Sequence, residues 1–333
     1  MGVKVRRRDV IRLLSGALAA APALMSHAQP LPRRVIGFVH LTSLEETHDY
    51  LAAFRQGLAG TGFTENANVT IEYRWGLGNN DRLPKLIADL VQRQVSVIVV
   101  LESTHGALAA KAATKTIPIV FMQGADPVNI GLVDSLSHPG GNLTGINLFL
   151  AEVAAKRLQL LHELVPTIKS VGYLRNPTNP VFAGSETGEV EKAASLFGTS
   201  LHFMNVSSIS DIEGTFAHID EEPVEAIFVS SDGFLLSHSD EVVAQVSRHS
   251  IPAIYGWRQA VALGGLSSYG TYFPDAWRQA GVYTGRILNG EKPAELAVQQ
   301  ATKIELLINL KTAKALGITL PQSLLGRADE VIE

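Results

Sequence analysis

Cysteine is absent from this chain of 333 residues. Its absence excludes disulfides, thiolate metal sites and cysteine nucleophiles. Charge of one sign is scarce as well. The formal net charge is −4, and no clustered basic surface is visible of the kind a nucleic-acid partner requires. Long apolar runs are missing beyond the N-terminal segment. Each later run is broken by charges, glycine or proline well short of the ~20 residues that span a bilayer. Low-complexity and linker-like stretches do not occur after residue 33. What remains is 46% hydrophobic and 18% charged, the balance of a packed globular protein. The length suits two domains of ordinary size.

The N-terminus differs in kind. Lys4, Arg6, Arg7, Arg8 and Arg12 form a basic head, Leu13 to Leu24 is an apolar stretch, and Ser26-His27-Ala28 has a small-x-small pattern before Gln29. Residues 1–28 therefore read as a secretory signal peptide. The run Arg7-Arg8-Asp9-Val10-Ile11-Arg12 approximates a twin-arginine signal, and an arginine-rich Sec signal is the alternative. Either route places the mature chain in the periplasm. Without a cysteine at the cleavage point there is no lipid anchor, so the mature chain is expected free in solution with no membrane insertion.

The rest of the sequence looks duplicated. Thr116 to Phe121 reads TIPIVF and Ser250 to Tyr255 reads SIPAIY, 134 positions later (116 to 250). Val95 to Val100 (VSVIVV) is echoed by Val224 to Val229 (VEAIFV), and Val35 to Val39 (VIGFV) by Ser170 to Leu174 (SVGYL). Short β-branched runs alternate with amphipathic helical patterns in both halves, the signature of parallel sheets wrapped by helices. Strands are expected at Val35 to His40, Val69 to Tyr73, Val95 to Glu102, Ile117 to Gln123 and Leu143 to Asn147, then at Val171 to Asn176, Leu201 to Val206, Ala226 to Asp232 and Pro252 to Gly256. Runs such as Val95 to Leu101 are apolar at consecutive positions, as in strands covered on both faces. The expected fold is α/β, two doubly wound parallel-sheet lobes facing each other across a cleft.

Ligands bind beyond the carboxyl ends of such strands. That rule selects His40 to Ser43, Glu102 to Thr104, Gln123 to Asp126, Arg175 to Asn179, Ser230 to Gly233 and Tyr255 to Trp257. Motifs for chemistry are missing. There is no G-x-S-x-G elbow and no GxxxxGK[ST] loop, and Gly76-Leu77-Gly78 fails as a dinucleotide fingerprint because position 81 is Asp81. The ten histidines include no HxxxH or HxH pair, and His162-Glu163 lacks a second histidine four residues on. No metal site, cofactor or catalytic residue is therefore assigned, and the expectation is a protein that is not an enzyme. Acid–base pairs assembled from distant loops leave no local pattern, so an exported hydrolase or a sensor domain using the same cleft stays as the alternative.

Several long strings resemble one family. They are IPIVFMQGADPVNIGLVDSLSHPGGNLTG (Ile117 to Gly145), AAKRLQLLHELVP (Ala154 to Pro166), NPTNP (Asn176 to Pro180), RQAGVYTGRIL (Arg278 to Leu288) and INLKTAKALGITLP (Ile308 to Pro321). Together they are similar to bacterial ABC-transporter substrate-binding proteins of the tryptophan or aromatic-amino-acid type, over Val35 to Glu333. The resemblance implies a type I periplasmic-binding fold whose lobes are joined by a three-crossover hinge. By that analogy residues 33–147 plus 269–300 form the N-terminal lobe, and residues 148–268 plus 301–333 the C-terminal lobe. It also implies a monomer that captures a small organic solute, an aromatic or branched amino acid among them, and delivers it to a membrane permease. The pattern departs at Leu101-Glu102-Ser103-Thr104, where the family carries small, Gly-rich residues, so ligand choice does not carry over there.

An amino-acid ligand needs two opposite charge partners. Ser103 and Thr104 precede a helical stretch, where hydroxyls and free amides hold a carboxylate or simply cap the helix. Asp232 can pair with an ammonium. Asp126 precedes Pro127 and caps a turn or meets the ligand, and Asn176 and Asn179 are turn formers first and amide donors second. Tyr255 and Trp257 either stack on the ligand or pack in the core. His40, Thr42, Glu102, Gln123 and Asn147 complete the expected polar lining.

Overall fold

The computed structural model describes residues 34–217, 219 and 223–333. The signal-peptide reading of residues 1–28 and the start of the first lobe at residue 33 lie outside the described residues. Among the described residues no helix is long and apolar enough to cross a membrane.

Five strands come first, β1 (Arg34–His40), β2 (Val69–Trp75), β3 (Val97–Leu101), β4 (Ile119–Gln123) and β5 (Leu143–Asn147). Five more follow, β6 (Ser170–Arg175), β7 (Ser200–Asn205), β8 (Ala226–Val229), β9 (Ala253–Tyr255) and β10 (Ser267–Thr271). The C-terminal part adds β11 (Gln299–Gln300), β12 (Ile304–Asn309) and β13 (Glu330–Ile332). The first sheet runs β11-β5-β4-β3-β1-β2 and the second β13-β12-β10-β9-β8-β6-β7. Every residue of β3 and β4 is buried, because helices cover both faces of a parallel sheet.

Two strands at one edge, β12 and its parallel neighbour β13, break the parallel pattern. β12 runs antiparallel to β10, with Thr271 opposite Ile304. The chain leaves β11 at Gln300 and enters β12 at Ile304. Without room for a helical crossover, it arrives at the carboxyl end of β10 and can only run back down.

The chain passes between the sheets three times, after β5, after β10 and after β11. These passages are tied side by side. Ala301 N donates to Asn147 O at 2.8 Å, Tyr272 N to Lys303 O at 2.8 Å, and the Thr271 hydroxyl to Leu148 O at 2.5 Å.

Local sequence explains the helices that frame the cleft. Helix Leu44–Ala59 starts at a capping box in which Ser43 accepts from Glu46 N and the Glu46 carboxylate accepts from Ser43 N. Its inner face, with Leu51, Phe54 and Leu58, packs on helix Phe273–Leu288. The two backbones nearly touch at glycines. A Cβ on Gly57 falls 1.9 Å from Arg278 O, and one on Gly281 falls 2.1 Å from Phe54 O. Helix Phe273–Leu288 therefore belongs to the layer over the first sheet, although it follows a strand of the second.

Candidate functional site

The carboxyl ends of the two sheets face each other, and the loops that follow the strands build the site. After β3 the backbone turns through Glu102 in the left-handed region (φ 57), an uncommon conformation for a residue with a side chain. The turn delivers Glu102 to the cleft and starts helix Thr104–Ala113, capped by Ser103 accepting from Gly106 N at 2.9 Å. After β8 the chain turns through Ser230, Ser231 and Asp232 into the short helix Gly233–Ser237, with Asp232 as its cap.

A cavity of about 30 Å³ lies between these ends, lined by Glu102, Thr104 and Leu148 from one side and by Asn179, Ser231 and Asp232 from the other. That volume holds one or two waters. Glu102 and Leu236 also line a larger groove of about 600 Å³, whose walls include His40, Thr42, Tyr50, His238 and Gln259. The groove has room for an amino-acid-sized solute, and the inner cavity, which shares Glu102 and Leu236 with it, admits only a small end group such as an ammonium. The two walls also come close at Gly233, where a Cβ would sit 3.3 Å from Glu102 O and from a Leu41 methyl. Tyr50, on helix Leu44–Ala59, and Gln259, on helix Arg258–Ala262, bridge the groove by a side-chain hydrogen bond. A valine at Gly233 should therefore hold the walls apart. Ligand affinity measured by titration should fall severalfold while the unfolding temperature stays close to that of the parent.

Asp232 is the best-defined polar group of the inner cavity. Its carboxylate accepts from Asn176 Nδ2 and Asn179 Nδ2, both at 2.9 Å, and from Phe234 N at 2.9 Å. Burial pushes its pKa up, and the nearby Glu186 charge adds to the rise against those hydrogen bonds. Among the described residues no lysine or arginine lines either cavity. Asp232 therefore lacks a protein counter-charge, and a cationic group on a solute can supply one.

A fully buried ion pair sits beneath this loop. Arg157 Nη2 and Glu186 Oε1 are 2.5 Å apart, and neither side chain reaches solvent. Glu186 also accepts from Tyr173 Oη at 2.9 Å, from Ser231 N at 3.1 Å and from the Ser230 hydroxyl. Arg157 lies over the Phe228 ring at 4.5 Å and donates to the Ser231 hydroxyl. Burial lowers the Arg157 pKa and raises that of Tyr173. The pair clamps the end of β8 and so sets where Asp232 points.

The expected site residues divide. Asp232, Asn179, Thr104 and Glu102 line the inner cavity, and His40 and Thr42 the groove. Asn176 touches the cavity only through Asp232, and its Oδ1 accepts from Thr178 N, the turn-forming role. Besides Asn176, five expected residues do not line either space, Ser103, Gln123, Asp126, Asn147 and Tyr255. Ser103 is occupied as a helix cap. Gln123 turns inward, where its Oε1 accepts from Thr104 Oγ1 at 3.0 Å and from Ala125 N at 2.7 Å. Asp126 folds onto its own turn, accepting from Val128 N and Asn129 N. Asn147 stays in the first passage, its Oδ1 accepting from Phe149 N. Tyr255 is a correction of another kind. Its ring is wholly buried in the core against Gly265, because alternate residues of a strand point to opposite faces and this one points under the helices. Trp257 does reach the inner cavity while its Nε1 donates to Ser239 Oγ at 2.8 Å.

Sequence reading missed Phe182, Leu150 and Phe273, which supply apolar lining. Phe182 lies in helix Pro180–Phe197, and Leu150 and Phe273 follow the carboxyl ends of β5 and β10, where the expectation looked for polar groups or did not expect the strand. It also missed Tyr50 and Gln259. Among the described residues no cluster of three or more metal-ligating side chains occurs.

Three comparisons place this geometry. The family model described as ABC transporter substrate binding protein matches residues 34–332. The tyrosine-binding protein of Clostridioides difficile (strain R20291) is 26% identical over 263 residues, covering 79% of this chain and 75% of that one. Two solved structures superpose closely. The conserved domain protein of Vibrio cholerae o1 biovar eltor str. n16961 has a TM-score of 0.83 at 27% identity, with 90% of this chain and 99% of that chain covered. The ABC domain in complex with L-Trp from Streptococcus pneumonia has a TM-score of 0.81 at 26% identity, covering 90% and 100%. The two sheets have the type I periplasmic-binding arrangement, and the chain belongs to the family of ABC transporter substrate-binding proteins.

Proposed function

We propose that this protein captures an amino acid with an aromatic side chain in the interlobe cleft, outside the cytoplasm, and hands it to the permease of an ABC importer. The observation that carries the reading is Asp232. A buried carboxylate braced by two asparagine amides and one backbone N–H has no basic partner along the cavity. Removing such a charge from water is costly unless a counter-charge arrives, and an α-ammonium group provides it. The apolar walls of the groove, Tyr50, Ile209, Leu236 and Leu263, favour a hydrophobic side chain. The tyrosine-binding relative and the relative bound to L-Trp support the aromatic class. Thr104, at the start of its helix, offers the amide-rich end at which an α-carboxylate is held.

The test is a thermal-shift and calorimetry panel of amino acids and organic acids on the mature protein. An aromatic amino acid should raise the unfolding temperature, with ~2.7 kcal/mol of added stability at 100 times its Kd, and should be recovered unchanged. Turnover of the solute, or no stabilisation by any amino acid, sinks the proposal.

The pH dependence follows from Asp232. A raised carboxyl pKa means the folded protein keeps a proton that the unfolded chain has already released. The group's contribution to stability is therefore lost as pH rises from the unfolded value through the folded one. Ligand binding runs the other way, because an ammonium pairs with the anion. Affinity should fall on acidification before the ordinary aspartate range is reached, and binding should release a proton in that window. Titrations in buffers of different ionisation enthalpy measure that release.

A further inference from the structure

His40 and Glu102 stand together on the wall of the larger groove. Thr42 N donates to His40 Nδ1 at 3.2 Å. A backbone N–H can only donate, so Nδ1 carries a lone pair and the ring proton is on Nε2. His40 is 1% exposed, yet its Nε2 makes no hydrogen bond among the described residues. The nearest acceptor is Glu102 Oε2 at 3.4 Å, outside good N–H···O range. The other carboxylate oxygen, Oε1, takes the Trp277 Nε1 proton at 2.5 Å. One buried donor and one buried carboxylate oxygen thus border the same space, each short of a partner.

Few groups satisfy both at once. An ammonium pairs with Glu102 and offers nothing to the His40 N–H. A carboxylate accepts from His40 and is repelled by Glu102. A hydroxyl does both, since its oxygen accepts from Nε2 and its proton goes to the carboxylate in a charge-assisted bond. The ring that would carry it has company. Tyr50 lines the groove and stacks on Trp277 at 5.7 Å, and His40 packs on Trp277 at 5.3 Å.

We propose that His40 and Glu102 form a hydroxyl-recognition pair, so that among aromatic amino acids the cleft selects the one with a phenol. The inference rests on the reading of the cleft as an amino-acid trap. It locates the specificity in the segment Leu101 to Thr104, whose left-handed turn at Glu102 brings that carboxylate to the groove.

Calorimetric titration of the mature protein with L-tyrosine, L-phenylalanine and L-lysine tests it, repeated on Glu102→Leu and His40→Leu. Tyrosine should bind the parent at least about tenfold tighter than phenylalanine, since a site built around a hydroxyl rejects the analogue that lacks it. Each variant should bring that ratio close to one. Equal affinity of the parent for tyrosine and phenylalanine, tighter binding of lysine, or a ratio that survives in both variants overturns the pairing and leaves the amino-acid trap standing. Should a variant fail to fold, the ratio in the parent still decides. If none of the three amino acids binds, the trap and the pairing fall together.

Discussion

Glu186→Ala should cost about 3–5 kcal/mol of folding stability, the usual range for leaving half of a buried ion pair behind. The variant strands the Arg157 guanidinium with no access to solvent, over a phenyl ring that replaces little of the lost charge interaction. It also removes the acceptor for Tyr173 Oη, Ser231 N and the Ser230 hydroxyl. Each such orphaned donor adds its own desolvation cost. Chemical unfolding monitored by far-UV circular dichroism reads the change. The double variant Arg157→Met with Glu186→Leu should recover much of the loss, because removing both charges removes the stranded one. A single variant as stable as the parent would show that the pair does not hold the end of β8.

Asp232→Ala should weaken the amino-acid ligand by about 2–5 kcal/mol, the range for truncating one member of a buried, hydrogen-bonded charge pair. The parent carboxylate accepts three hydrogen bonds, and the variant leaves the Asn176 and Asn179 Nδ2 donors without their acceptor and the ammonium without its anion. Asp232→Asn separates charge from shape, since it keeps the size and loses the anion. Both variants should lose affinity, and the release of a proton on binding should vanish with it. Unchanged affinity in both would assign Asp232 to helix capping alone, a role its bond from Phe234 N already fills. Folding is expected to suffer little, because burial of this carboxylate is itself unfavourable in the free protein.

Much of the fold was legible because buried strands announce themselves. VIVVL and IVFMQ are apolar at consecutive positions, and their observed bounds fall inside the expected ones. The ends were overestimated, as at Ala226–Val229, where Ser230 to Asp232 belong to a turn held by side chains. β10 was not legible. Its sequence SSYGT has weak strand propensity and owes its shape to neighbours on both sides. β12, IELLIN, follows a passage too short for a helix, and nothing local states that it turns back. Of the candidate cavity, the lining at Glu102 and Asp232 was legible because a strand end carries each residue. The rule failed for Tyr255, because a position beyond a strand says nothing about which face the side chain takes. Ser103, Gln123 and Asn147 have the right address, but their polar atoms are spent on Gly106 N, on Thr104 Oγ1 and Ala125 N, and on Phe149 N. The Arg157–Glu186 pair was invisible, since the two lie 29 residues apart on separate helices.

The three passages between the sheets are stitched edge to edge by Asn147, Thr271 and Lys303. A ribbon of this kind flexes easily across its flat side and resists shear within its plane. Any opening of the cleft has to bend this ribbon, so it is expected to follow a single arc whose return brings Gly233 back beside the Glu102 carbonyl. The fidelity of the grip therefore comes from the strap as well as from the jaws, and a variant that cuts one stitch should blur ligand choice without touching a single ligand-facing atom.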